Sequence, residues 1–135
     1  MSTFAEYQKY DALGLAELVR SGQVSPLELV EAAIARIEAV NPQINAVTYA
    51  MFNQARQVAQ RDLPDGPLRG VPFLVKDLLA LVAGAPTSSS TRLLKDWTPT
   101  IDSEMVRRWK QAGLVILGKT NTPEFGITPY TEPAL

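Results

Sequence analysis

The chain has 135 residues, 46% of them hydrophobic and 20% charged, with a formal net charge of -1. That composition suits one ordinary globular unit with enough apolar residues for a core, and the interspersed charges form no cationic stripe for nucleic acid or an anionic membrane surface. It contains no cysteine and no histidine, which excludes disulfides, thiol nucleophiles, imidazole bases and the commonest transition-metal ligands; any chemistry must run on Lys, Ser, Thr, Tyr, Asp or Glu.

The opening MSTFAEYQKYDALG lacks an apolar run of signal-peptide length, and no later run approaches a membrane span, so a cytoplasmic location is the expectation. Leu15, Leu18 and Val19 share one face of a short helix over Ala12 to Val19, with Gly22 placed for a left-handed cap. Ser25 as cap, Pro26 at the first helical position and Glu28 completing a capping box predict a second helix. Its stripe of Val30, Ala33, Ile34 and Ile37 runs to about Val40, where Asn41-Pro42 should stop it.

A short strand is expected within Ile44 to Tyr49, then a helix from Phe52 to about Arg61 and a turn at Asp65-Gly66-Pro67. The continuous apolar run of Gly70-Val-Pro-Phe-Leu-Val-Lys-Asp77 predicts a buried, parallel strand. After the polar loop GAPTSSST, Gly84 to Thr91, a helical piece is expected from Arg92 to Trp97. Asp102 or Ser103 should cap a helix that carries Met105, Val106 and Trp109 inward and ends at Gly113, before a second buried strand over Leu114 to Leu117.

Gly113 to Thr120 reads GLVILGKT and satisfies the phosphate-loop pattern G-x-x-x-x-G-K-[ST]. The context opposes that reading. A phosphate loop follows a strand and uses its variable residues as loop backbone; here the upstream MVRRWKQA is helical in period, and Leu-Val-Ile-Leu is itself a strand. Lys119 is therefore expected to be structural.

Asp102 and Glu104 fall at a helix start, where the dipole favours negative charge, and Thr122-Pro123-Glu124 has the form of another helix start. Trp97, Trp109 and Tyr130 are too scattered for a stacking platform. Ser88, Ser89 and Ser90 are expected to form a polar loop whose hydroxyls bond to local backbone. Lys76 and Asp77 admit two readings: a solvated strand end whose charges pair with each other or with neighbours, or a lysine desolvated enough to serve as a base.

GVPFLVKD, GAPTSSSTRLL and AGLVILGKTNTPEFG, preceded by VSPLELVEAAIARIEAVNPQINAV, resemble consecutive blocks of the amidase signature family; within it NPQINAV, GKTNTPEFG and the closing TEP most resemble the 6-aminohexanoate cyclic dimer hydrolase group. The resemblance implies hydrolysis of amide carbon-nitrogen bonds by a Ser–cis-Ser–Lys triad, with the lysine carried over to Lys76. It implies an α/β fold: a helical N-terminal third, about residues 1–62, then part of an α/β/α sandwich with a mixed sheet from about 67–135, incomplete at the C-terminus.

In the family both serines and the oxyanion donors belong to a Gly/Ser-rich GGSSGGS-like segment, which these 135 residues do not contain. Ser90 stands where the family more often has glycine. The expectation is thus an N-terminal portion of one amidase domain, inactive alone, with a small amide as substrate once completed. No cofactor or metal is implied, and a complementary chain or a homo-oligomer is the expected macromolecular partner. The alternative is a non-catalytic α/β module that pairs through an unfinished sheet edge.

Overall fold

The computed structural model describes residues 4–133; the outermost residues of the expected single unit, 1–3 and 134–135, lie outside them. Among the described residues there are four α-helices and three strands. Helix α1, Ala12–Arg20, opens with the Asp11 carboxylate accepting from the Gly14 N–H and closes on Gly22 at φ +72°. There the Gly22 N–H donates to the Val19 carbonyl and the Gln23 N–H to that of Leu18, satisfying carbonyls that the helix end leaves unpaired.

Helix α2, Pro26–Ile44, has both arms of the Ser25–Glu28 capping box. It continues past the expected stop at Asn41-Pro42. Pro42 lacks the N–H that would bond the Glu38 carbonyl, and its ring crowds that carbonyl; both residues are exposed near the end of the helix, so the carbonyl can tilt outward and bond to water. The helix ends instead at Asn45, left-handed at φ 46° with its N–H on the Asn41 carbonyl. The Asn41 side chain then donates to the Val47 carbonyl and accepts from the Val47 N–H, both at 2.8 Å. Strand β1 is consequently Val47–Ala50, shorter and later than expected.

Helix α3, Phe52–Ala59, is followed by a turn over Pro67 to Gly70, slightly beyond the expected Asp65-Gly66-Pro67. Strand β2 is Pro72–Lys76. After the polar loop comes a three-residue 3-10 turn, Arg92–Leu94, in place of the longer helical piece. Helix α4, Glu104–Gln111, precedes β3, Val115–Thr120. Thr122-Pro123-Glu124 leads only to the 3-10 turn Glu124–Gly126, interrupted by Phe125 at φ 50°.

The sheet is mixed, in the order β1-β3-β2: β3 is central, antiparallel to β1 and parallel to β2. Helices cover both faces. Val30, Ala33 and Ile34 of α2 and Ala55 and Ala59 of α3 pack on Val115 and Leu117, while Val106 of α4 joins Val75, Val82, Ala85 and Ile116 on the other side. Of the three α4 residues expected inward, Val106 is fully buried, Trp109 packs edge-on against Phe73 at 5.0 Å, and Met105 is 44% exposed. A helix of eight residues has one narrow inward stripe, and Val106 and Trp109, three apart, fill it.

The β2–β3 register shifts once. Phe73 pairs with Ile116 but Leu74 with Gly118, so β3 carries one extra residue at Leu117. A single inserted residue exchanges the two faces beyond it. Ile116 and Lys119 therefore end on the same side of the sheet, although strict alternation would separate them.

Candidate active site

The two glycines of the phosphate-loop pattern have packing reasons. Gly113 closes α4 at φ +89°, where a Cβ would lie 2.5 Å from the Cα of Arg69. Gly118 sits in mid-strand, where a Cβ would lie 2.4 Å from the backbone oxygen of Tyr49 on β1. Both approaches are closer than any side chain tolerates. Between them lie buried strand residues, and Lys119 has no exposed surface at all, so its ammonium cannot meet a phosphate. The expectation that Lys119 serves the structure agrees with this burial.

The oxygens around that ammonium explain how a charge can be buried there. Lys119 Nζ lies 2.9 Å from Oδ1 of Asp77, donates to Thr87 Oγ1 at 2.6 Å and reaches the Ala80 carbonyl at 3.4 Å. An ammonium removed from water is tolerated only when paired and hydrogen-bonded in this way. Asp77 is itself 6% exposed; its Oδ2 accepts from the Ser88 N–H at 3.0 Å and from the Ser88 hydroxyl at 2.6 Å.

Lys76 is placed differently. It ends β2 opposite Thr120, and its side chain is exposed. The first reading of the pair holds for Lys76, a solvated strand end, and not for Asp77. The desolvation expected around Lys76 is not supplied by the described residues, because β2 is an edge strand. Asp77, for its part, is neither solvated nor paired with Lys76; it turns inward to Lys119.

The serine cluster departs from expectation in one respect. The Ser88 hydroxyl reaches the carboxylate of Asp77, eleven residues away, instead of nearby backbone, though it also accepts from the Ser90 N–H at 3.0 Å. Ser90 donates to the Asn121 side-chain oxygen at 3.3 Å, and the Ser89 carbonyl accepts from the Phe125 N–H. Ser89 and Ser90 are left-handed at φ 50° and 53°, a conformation that glycine adopts without the strain a side chain brings. Ser88 donates its own proton to a carboxylate already paired with an ammonium, which makes it a structural hydroxyl and not an activated nucleophile.

Beside this network a cleft of about 440 Å³ opens, lined among others by Thr48, Tyr49, Ser88, Ser90, Lys95 and Asn121. It lies outside the carboxyl ends of β2 and β3, where parallel strands of α/β sheets commonly present their ligands. The two carboxylates at the expected helix start, Asp102 and Glu104, are engaged away from this cleft. Asp102 accepts from the Ala83 N–H at 2.9 Å and pairs with Lys110 at 2.6 Å; burial acts to raise its pKa, and these bonds outweigh that and hold it below its ordinary value. Glu104 pairs with Arg107 and Arg108, whose hydrogen bonds, Arg108's first, lower its pKa. Trp97 and Tyr130 are 45% and 62% exposed. Among the described residues no group of three or more acidic side chains is placed to hold a metal ion, and no helix is long and apolar enough to cross a membrane.

The Asp77–Lys119–Thr87–Ser88 network went unseen in the sequence. The face on which Lys119 emerges depends on the extra residue in β3, and no residue type marks that position.

Comparison with known proteins agrees with the sequence blocks. The family model described as Amidase matches residues 28–135. The chain is 47% identical over 125 residues to the 6-aminohexanoate-cyclic-dimer hydrolase of Paenarthrobacter ureafaciens, covering 91% of this chain and 25% of that protein. A solved structure of 6-aminohexanoate cyclic dimer hydrolase complexed with substrate superposes with a TM-score of 0.86 at 46% identity, over 93% of this chain and 26% of that one. A bacterial aryl acylamidase of the amidase signature enzymes superposes with a TM-score of 0.81 at 33% identity, over 91% of this chain and 27% of that one. The chain thus spans about a quarter of the length of each of these relatives. The similarity includes the sheet, both helical layers and the Lys76 and Lys119 blocks, and the chain belongs to the amidase signature family.

Proposed function

We propose that this chain supplies the lysine and first strands of a single amide-hydrolysing domain, with Lys76 as proton carrier and both serines coming from residues outside these 135. The observation that carries the reading is the position of Lys76, exposed at the carboxyl end of an edge strand, where an adjoining segment can reach it. Neutral Lys76 takes the proton of a serine hydroxyl as the serine oxygen bonds to the amide carbon. It returns that proton, directly or through the bridging serine, to the leaving nitrogen as the carbon-nitrogen bond breaks, and water then releases the acyl group from serine. The names of the relatives favour linear or cyclic amides as substrates, and the cytoplasmic setting expected from the sequence belongs to this proposal. The chain alone is inactive.

A second reading is favoured by one feature of the same edge. Pro72, Phe73 and Leu74 of β2 remain half-buried, so the strand offers both unpaired backbone and apolar surface to a complementary chain. On that reading the chain is an interaction module without catalysis.

The test joins the full chain to the remainder of the Paenarthrobacter ureafaciens hydrolase, in place of the matching quarter, and measures hydrolysis of 6-aminohexanoate cyclic dimer. Activity that disappears in Lys76→Met supports the catalytic reading. A folded chimera without activity, or one that stays active after Lys76→Met, overturns it.

A further inference from the structure

We propose that Lys119 is a positioning residue for Lys76: through Asp77 it fixes where β2 ends and the side on which Lys76 emerges, and through Ser88 it fixes the polar loop beside the cleft. The proposal rests on the catalytic reading of Lys76 given above.

Lys119 is the largest fully buried side chain described. A buried ion pair is seldom the most stabilising choice, because an apolar pair of similar volume commonly serves the fold as well or better. What an apolar pair lacks is direction. The ammonium touches oxygens from three successive points of the chain after β2, namely Asp77, Ala80 and Thr87, and the Asp77 carboxylate holds both donors of Ser88, its N–H and its hydroxyl. One charge thus ties the end of β2, the following turn and the serine loop to the central strand.

Lys76 is the last residue of β2 and Asp77 follows it at the start of the turn, and successive side chains leaving a strand point to opposite faces. Drawing Asp77 inward to Lys119 therefore directs Lys76 to the other side. The backbone agrees, since the Asp77 N–H donates to the Thr120 carbonyl at 3.0 Å and continues the parallel ladder one residue past Lys76. The same geometry leaves Asp77 engaged with Lys119, so the carboxylate next in sequence to Lys76 is not its counter-ion. The extra residue in β3 makes the arrangement possible, because it brings Lys119 to the face where Asp77 and Thr87 lie.

The test uses two substitutions together. Lys119→Met alone leaves a buried carboxylate unpaired and risks the fold, whereas Asp77→Leu with Lys119→Met removes both charges and keeps an apolar pair. In the full chain carrying both substitutions, backbone order parameters from NMR relaxation should fall at Lys76, at position 77 and at Ser88 from about 0.85 to below about 0.6, with α1 and α2 unchanged. In the chimera the double variant should lose about a hundredfold in kcat, the scale of a small misplacement of a catalytic group, with KM little altered. Asp77→Glu with Lys119 retained should recover part of that loss. Unchanged order parameters at Lys76 and Ser88, or a double variant with full kcat, would overturn the proposal. If Lys76→Met itself leaves the chimera active, the catalytic reading fails instead, whatever Lys119 does.

Discussion

The ends of β2 and β3 lie side by side in parallel register, Val75 opposite Lys119 and Lys76 opposite Thr120, and each strand delivers one lysine after an apolar run. Lys119 is wholly enclosed while Lys76 is exposed. Their difference comes from the neighbours. The central strand has a partner on each side and a loop folded over its end, whereas β2 has one open edge. Burial of a residue following an apolar run is therefore decided by what the chain brings over it.

The sharpest way to break this comparison is to exchange methionine for each lysine in turn. Lys119→Met leaves Asp77 buried without its counter-charge and should cost about 3–5 kcal/mol, read as a lower denaturant midpoint; a loss below about 1 kcal/mol would show that the network is dispensable.

The glycine that lets β1 lie close to the central strand comes next. Gly118→Ala puts a methyl group against the Tyr49 carbonyl and should cost about 1–3 kcal/mol, the scale of overpacking in a closed core. A melting temperature equal to that of the parent would mean that β1 can move away without loss.

Acid should then loosen contacts away from both lysines. Glu31 is held below its ordinary pKa, first by its hydrogen bond from Arg56, and that pair ties α2 to α3 at 2.7 Å; Asp102 is depressed as described above. Because both folded-state values are lowered, their contribution is present above the unfolded values near pH 4 and is lost as pH falls through the folded ones. Melting temperatures recorded from pH 7 to pH 2.5 should hold down to about pH 4 and then decline, less so in Asp102→Asn. A decline already under way between pH 7 and pH 5 would contradict the assignment.

Least of all should happen with Lys76→Met. An exposed side chain outside the core changes stability by no more than about 0.5 kcal/mol, so the two methionine variants should differ several-fold in their effect on the same fold. Equal losses would remove the contrast between the strand ends.

Much of this molecule was legible in its residues. The capping box of α2, the left-handed cap at Gly22, both apolar strands and the rejection of the phosphate-loop reading all follow from local pattern, because each depends on neighbours within a few positions. The family blocks likewise pointed to the amidase signature family. Met105 was misplaced because a helical stripe allows more inward positions than one short helix can fill against a sheet. The helix α2 runs past Pro42 because that residue lies on an exposed face near the helix end, where the crowded Glu38 carbonyl can tilt outward and bond to water.

By itself, then, the sequence determined the element types, the mixed α/β class, the family and the choice of Lys76 as the residue to test. Tertiary structure alone decided that Asp77 belongs to Lys119 and not to Lys76, and that Ser88 belongs to Asp77. The physical reason is that one extra residue in the central strand exchanges its faces, and a buried charge takes whichever oxygens the folded chain brings within 3 Å, however distant they are in sequence.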